Sequence, residues 1–203
     1  MRILPLLVLA AATFADPWLP RVAQNFKQRP GAKIPLEWTV TPAGGFAPPR
    51  TTKGTLKFAT GNRFRFDSDG LIAVCDGTTL WQWNGSTNQV LIHDAAKVDP
   101  ASLPAGLLDA AMVGSETSAT AVKEGSRSLE KLVLDNSRAP MSKFSGAWMW
   151  VDPSDMRPVR IEVEDQQGTR TTWNLLKITG WKAGPKDFVF AAPAGAEVVD
   201  LRK

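Results

Sequence analysis

The strongest constraint on this chain is the alternation of apolar and other residues that runs through most of its length. In the segment 34–40, Ile34, Leu36, Trp38 and Val40 occupy every second position and share one face. A period of two is typical of β-strands. The same period, or a short apolar run bounded by turn residues, marks the segments 54–58, 62–66, 71–75, 80–83, 89–92, 118–122, 131–134, 146–151, 159–163, 170–178 and 187–190. The sequence therefore predicts a mainly β protein of about ten strands.

Turn signals indicate how these strands are connected. Asp76-Gly77 and Asn84-Gly85 each separate two strand segments, and dipeptides of this kind favour tight hairpins. They predict an antiparallel meander with short links. No linker is long enough to divide the chain, so residues 16–203 are expected to form one domain.

Two segments depart from the strand period and predict short helices. Near the start, Trp18, Leu19, Val22 and Phe26 share a helical face. The segment 99–114 has apolar residues at three- and four-residue spacing, which are Leu103, Leu107, Leu108, Ala111 and Met112. This second helix is inserted between two runs of strands. A sheet of this many strands tends to curl, and an inserted helix could cap its concave side.

The first fifteen residues have the layout of a secretory signal peptide. Arg2 precedes an apolar run, and Ala15 ends it just before Asp16-Pro17. We expect cleavage near Ala15. Cys75 is the single cysteine, so no intramolecular disulfide can form, and it lies far from the position where a lipoprotein carries its acylated cysteine. We therefore expect a soluble protein located in the periplasm.

Residues for catalysis, metal binding or nucleic-acid binding are sparse. His93, the only histidine, stands beside Asp94 at a strand end, without a nucleophile motif nearby. We expect it to be a surface histidine. One histidine and one cysteine cannot make a four-ligand structural zinc site. The net charge of +4 is spread along the strands without a basic block. We therefore expect no enzymatic activity, no cofactor, no metal site and no nucleic-acid partner.

Large aromatic residues are abundant, with eight tryptophans and nine phenylalanines but no tyrosine. Trp81 and Trp83 share one strand face, and so do Trp148 and Trp150. One interpretation is ordinary packing of a β-sandwich core. The other is that a single-layer sheet turns these side chains towards a cavity, where wide rings that pack imperfectly leave room for an apolar ligand. Composition alone does not choose between the two.

The order of several motifs resembles one known family. Gly-Thr-Leu-Lys-Phe at 54–58, Asn-Arg-Phe-Arg-Phe at 62–66 and Asp-Gly-Thr-Thr-Leu-Trp at 76–81 are followed at the end by Phe-Val-Phe at 188–190 and Pro-Ala-Gly-Ala-Glu-Val-Val-Asp at 193–200. Together they resemble the outer-membrane lipoprotein carrier family, LolA, over the whole mature chain.

This resemblance implies an unclosed antiparallel β half-barrel with a helical lid over an apolar cavity that holds acyl chains. It implies a periplasmic chaperone, expected to be monomeric, which takes acylated lipoproteins from an inner-membrane lipoprotein-releasing ABC transporter to an outer-membrane acceptor. The cavity residues expected from strand alternation and the lid helix are Leu36, Trp38, Phe58, Phe64, Phe66, Trp81, Trp83, Leu103, Leu107, Leu108, Met112, Trp148 and Trp150.

One departure from the family pattern leaves alternatives open. Carriers of this family typically have Arg-Pro before the Asn-x-Phe strand, where this chain has Thr60-Gly61. Alternation puts both Arg63 and Arg65 opposite to Phe64, so neither is expected to replace that arginine. The chain could be a divergent carrier, or a fixed sensor or lipid-binding relative with phospholipid or glycolipid cargo. An acyl-processing esterase is a third possibility, and it would require a nucleophile near His93.

Overall fold

The computed structural model describes residues 16–99, 108, 111–112, 114–138, 141–184 and 186–202. Its regular elements in chain order are α1 (Trp18–Lys27), β1 (Gly31–Thr41), β2 (Arg50–Ala59), β3 (Arg63–Ser68), β4 (Leu71–Asp76), β5 (Thr79–Asn84), β6 (Gln89–Asp94), β7 (Glu116–Glu124), β8 (Arg127–Leu134), β9 (Phe144–Asp152), β10 (Arg157–Asp165), β11 (Arg170–Leu175), β12 (Thr179–Gly180) and β13 (Glu197–Asp200). Short 3-10 turns occur at Ala43–Gly45, Ala95–Lys97 and Met141–Lys143. The mainly β prediction is confirmed.

All strands belong to one sheet with the order β13-β6-β5-β4-β3-β2-β1-β11-β10-β9-β8-β7, and the short β12 also pairs with β1. The meander from β1 to β6 consists of antiparallel neighbours, as the hairpin signals predict. The second meander, from β7 to β11, joins the first through the pairing of β1 with β11. Within the described part of the chain, β7 and β13 end the path without pairing to each other, so the sheet is unclosed.

One face of this sheet carries the main hydrophobic core, and we call it the inner face. Its directly paired residues include Phe58, Phe64, Cys75 and Leu80 on one half of the sheet. On the other half, the main core includes Leu132, Met149, Ile161, Leu175, Leu36 and Ile34. Because side chains alternate along a strand, the residues between these positions lie on the opposite, outer face.

Helix α1 covers part of the inner face. Leu19, Val22 and Ala23 are buried in the main core, and Phe26 packs against it. The helix contacts β7 and β10. Pro17 precedes its first residue, where the missing N–H costs little because the first turn has no intrahelical acceptor. The predicted N-terminal helix is thus confirmed, with its apolar face turned to the sheet.

The predicted second helix is described only in part. Leu108, Ala111 and Met112 are helical and buried in the same core as α1. We call these three the lid residues. Leu103 and Leu107, which belong to the same predicted helix, lie outside the described residues.

The C-terminal part differs from the prediction. The segment 187–190 forms a turn instead of a strand, with the backbone N–H of Val189 donating to the carbonyl of Lys186. Phe188 is buried against Ala59 and Val74 on the outer face. Its apolar side chain therefore covers the sheet and does not belong to a strand of it. The predicted strand 170–178 ends at Leu175. The short strands β12 and β13 had no alternation long enough to be recognised.

Candidate ligand-binding face

The inner face is apolar over both halves of the sheet. On the first half, Phe58 lies opposite Phe64 and Leu56 lies opposite Phe66. Phe66 is fully buried and Phe64 nearly so. The row continues through Cys75 to Leu80 on β5. These paired positions create a continuous apolar surface because directly opposite residues on antiparallel strands share a face.

An aromatic stack joins the two halves of the sheet. Trp38 on β1 lies opposite Trp173 on β11, with ring centroids 5.5 Å apart and planes 19° from parallel. The Trp38 ring is also 5.2 Å from that of Phe66. Centroid separations in this range are typical of favourable aromatic contacts. The stack therefore lies on the inner face where β1 pairs with β11.

The elements over the inner face are held by side-chain packing. The ring of Phe26 on α1 stacks on Phe58 at 4.8 Å. The lid residues and Met141 are buried in the same core. At the start of α1, the Glu116 carboxylate accepts hydrogen bonds from the backbone N–H groups of Trp18 (2.9 Å) and Leu19 (2.6 Å). Thus α1 lies over the sheet with its first turn attached to β7, an end strand of the sheet path.

The structure brings together seven of the expected cavity residues. Leu36, Phe64, Phe66, Leu108 and Met112 are buried in the main core, and Trp38 and Phe58 pack against it. They come from the neighbouring strands β1, β2 and β3 and from the lid. Their contact with a ligand stays a prediction.

The other four expected tryptophans lie on the outer face, contrary to expectation. Leu80 faces inward, so Trp81 and Trp83 on the same strand face outward. Met149 likewise faces inward between Trp148 and Trp150. Alternation identified which tryptophans share a face, but a shift of one residue decides which face that is. The smaller residues Leu80 and Met149 face the core, whereas the more conspicuous indoles do not.

Contacts on the outer face account for these tryptophans. The ring of Trp81 stacks near Phe190 of the C-terminal segment at 6.3 Å. The indole nitrogen of Trp83 donates to the Asn88 side chain at 3.1 Å. Trp150 lies beneath the Arg160 guanidinium, 3.8 Å from its ring centroid. Amphipathic cations commonly cover aromatic faces in this way.

A comparison with protein-family models matches residues 40–191, which include β2 to β11 and the stacked Trp173, to the family described as outer membrane lipoprotein carrier protein LolA. The chain belongs to the LolA family. A sequence comparison with curated proteins finds no match.

Several solved structures are similar to this chain at low sequence identity. An uncharacterized conserved protein from Thermus thermophilus is 15% identical with a TM-score of 0.58, covering 90% of this chain and 96% of that one. A LolA superfamily protein from Nitrosomonas europaea is 10% identical with a TM-score of 0.49, covering 87% and 99%. LprF from Mycobacterium bovis is 9% identical with a TM-score of 0.40, covering 90% and 100%. The Thermus protein supports the same unclosed-sheet fold.

This LolA-family chain has neither candidate arginine on its inner face. The guanidinium of Arg63 lies 5.4 Å from the ring centroid of Phe188 on the outer face. Arg65 forms an ion pair with Asp67 at 2.8 Å. Both therefore lie opposite to Phe64, as alternation predicts.

His93 is half-buried. It lies opposite Leu80, which places it on the inner face, and its Nε2 is buried with no hydrogen-bond partner among the described residues. Cys75, on the same row, is buried, and burial raises the pKa of its thiol, so the thiol is held in its neutral, less reactive form.

Trp173 was not among the expected cavity residues. The segment 170–178 was recognised as a strand, but the partner of β11 could not be read from the sequence. The pairing of β11 with β1 is what brings Trp173 over Trp38.

In the described parts of the chain, no three acidic, histidine or cysteine side chains are grouped as metal ligands. Likewise, the described residues contain no helix with the length and hydropathy to cross a membrane.

Proposed function

We propose that this LolA-family protein is a periplasmic chaperone that holds the acyl chains of lipoproteins against the inner face and carries them from the inner to the outer membrane. The observation that carries the proposal is the continuous apolar inner face, covered by α1 and the lid residues through side-chain packing. Family membership supports the same class of function.

The way the inner face is covered suits a carrier that must load and unload. Neither α1 nor the lid residues contribute strands to the sheet ladder. They can separate from it while the strand pairing stays intact, so the cost is mainly lost apolar contact. A bound acyl chain restores that contact, and burial of each methylene contributes about 0.8 kcal/mol. Binding costs reduce the total, but a long chain leaves a clear surplus.

The route and partners follow from the same proposal. The segment 1–15 has the layout of a signal peptide, which supports export and cleavage near Ala15. The loading partner would be an inner-membrane lipoprotein-releasing ABC transporter and the receiving partner an outer-membrane acceptor. Residues 16–203 would act as one domain and a monomer, without enzymatic activity.

The proposal is tested by native mass spectrometry of protein purified from periplasm under mild conditions, followed by organic extraction. We expect triacylated protein or peptide to copurify. The exchange Phe58→Asp places a charge at a partly buried position of the inner face, whereas Thr87→Asp places one in an exposed turn. Only the first should empty the protein, with circular dichroism verifying that both remain folded. An empty wild-type protein that also fails to bind a fluorescent fatty acid would contradict the proposal.

A second candidate function is that of a lipid or glycolipid sensor or binding protein with the same fold. The observation that favours it is the outward position of Arg63 and Arg65 together with Thr60-Gly61. The resemblance to carriers of this family implies that an arginine at 60–61 ties the lid to the sheet and helps make transfer one-way, and Thr60-Gly61 cannot supply that tie. Recovery of free phospholipid or glycolipid, with no acylated protein, would favour this second function.

A further inference from the structure

Three buried side-chain polar atoms have no hydrogen-bond partner among the described residues, namely Nε2 of His93, Nε of Arg160 and Nε1 of Trp173. Arg160 is accounted for, because its two terminal nitrogens donate to Glu124 and its guanidinium lies on Trp150. The other two atoms lie on the inner face. Buried polar groups in folded proteins are nearly always paired, so each exception calls for an explanation.

Trp173 is the more informative of the two. An indole nitrogen is only a donor, so an unpaired Nε1–H has one possible kind of partner, an acceptor. A histidine nitrogen is a donor or an acceptor according to its tautomer, which coordinates alone do not reveal. The missing partner of the Trp173 N–H must therefore be a hydrogen-bond acceptor.

The surroundings of Trp173 show why none of the described residues supplies an acceptor. Its ring stacks on Trp38 at 5.5 Å, and its other strand neighbour is Ile161. Its side chain is partly buried and packs against the main core. A phenylalanine would fill this place without a donor to satisfy. The indole thus introduces a polar group into an apolar face, where leaving it unpaired is unfavourable.

We propose that the Trp173 indole N–H donates a hydrogen bond to an acyl carbonyl oxygen of the bound lipid. This inference rests on the proposed function, since it assigns a polar contact within the same acyl-binding face. A carbonyl oxygen is neutral and enters an apolar space together with the chain it belongs to. A phosphate or carboxylate would bring an uncompensated charge there, which is far less favourable. Nε1 is buried in this structure, so the lipid reaches it by displacing the side chains above.

The hydrogen bond from Trp173 would let the protein distinguish lipids by their carbonyl group, in addition to the apolar contacts that all lipids make. An ester lipid and its ether analogue have nearly the same apolar surface but differ in the carbonyl acceptor. The carrier should therefore prefer the ester. One neutral hydrogen bond corresponds to roughly a 3- to 10-fold difference in affinity.

The test compares 1,2-dioctanoylglycerol with its ether analogue 1,2-dioctylglycerol, each displacing a fluorescent apolar probe from the mature protein. Wild type should bind the ester about 3- to 10-fold more tightly. Trp173→Phe should bind both lipids with the affinity that wild type has for the ether. Trp38→Phe is the matched control, because it alters the same stack at an indole whose nitrogen is not one of the three unpaired atoms. Its affinity for both lipids should fall by the same factor, so that the ester preference is kept.

The possible failures are distinguishable. If wild type binds both lipids equally, or if Trp173→Phe keeps the ester preference, the hydrogen bond is excluded while the carrier function stands. If wild type binds neither lipid, the carrier function and this inference fail together. Should Trp173→Phe not fold, the indole N–H resonance of Trp173 in the wild-type protein decides. It should move downfield with the ester and not with the ether, and a resonance unmoved by bound ester would overturn the proposal.

Discussion

The carboxylate of Glu116 accepts a hydrogen bond from the backbone N–H of Leu19 at 2.6 Å, and so joins the first turn of α1 to β7 across 97 residues of sequence. The first N–H groups of a helix have no intrahelical acceptor, and negative charge is favourable at that end. In this protein the contact also attaches a covering helix to a terminal strand of an unclosed sheet. Its loss would therefore affect the cover of the inner face more than the strand ladder.

The exchange Glu116→Gln should loosen α1. It removes the charge while nearly preserving the shape of the side chain, and loss of a charged cap costs about 1 kcal/mol. We expect a decrease of that size in the free energy of unfolding, measured with urea, and faster amide exchange in 18–27. Glu197→Gln removes the same charge on β13, at the other end of the sheet path from β7, and is the control. Equal effects of the two exchanges would contradict a capping role.

Inner and outer tryptophans should differ in their effect on ligand binding. Trp38 lies on the inner face and Trp148 on the outer face, and both are partly buried. If lipid binds the inner face, Trp38→Ala should weaken binding of a fluorescent fatty acid by at least about tenfold, since an aromatic wall is lost. Trp148→Ala should leave it nearly unchanged. A larger effect of Trp148→Ala would place the ligand on the outer face.

Acid should selectively weaken the β9–β10 hairpin. The hydroxyl and the backbone N–H of Ser154 donate to Asp152, and with nearby Arg157 and Arg127 they lower the pKa of that carboxyl. Because the folded-state pKa is lowered, the stabilisation is present above the unfolded value of about 3.9. It is lost as pH falls through the folded value.

The corresponding measurement is urea unfolding of wild type and Asp152→Asn at two pH values. At pH 7 the variant should be less stable by about 1 kcal/mol, the size of a typical net hydrogen-bond contribution. Well below the lowered folded-state pKa of Asp152 the difference should shrink towards zero, because wild type then also carries a neutral side chain. A constant difference across this range would show that the charge of Asp152 contributes nothing.

The hairpin at Asp76-Gly77 should be intolerant of a side chain. Gly77 has a φ of 109°, and a Cβ there would stand 2.6 Å from the carbonyl oxygen of Gly61. Gly125 also has a positive φ, of 61°, but open space around it. We expect Gly77→Ala to lower the free energy of unfolding by about 2–4 kcal/mol and Gly125→Ala by about 1 kcal/mol. If the two exchanges lower the free energy of unfolding equally, in thermal or urea unfolding, the turn that contains Gly61 must move to make room for the new side chain.

Local features of the sequence predicted much of the fold correctly. Alternation and the Asp76-Gly77 hairpin predicted the meander from β1 to β6, because both act between residues that are near in the chain. The helical face of Leu19 and Val22 predicted α1 for the same reason. The strand predicted for the segment 187–190 is wrong. Phe188 is apolar because it packs on the outer face of the sheet, and the sequence pattern does not distinguish such packing from membership of a strand.

The sequence by itself determined which residues share a face, where the chain turns and which motifs resemble the LolA family. Only the tertiary structure decided which face is covered, and so that Leu80 rather than Trp81 lies inside. It also decided that β11 pairs with β1, which brings Trp173 onto Trp38 and leaves its N–H without a partner among the residues that the structure describes. The physical reason is that alternation is symmetric between the two faces of a strand. The choice between them depends on α1 and the lid residues, which meet the sheet only after distant parts of the chain have come together.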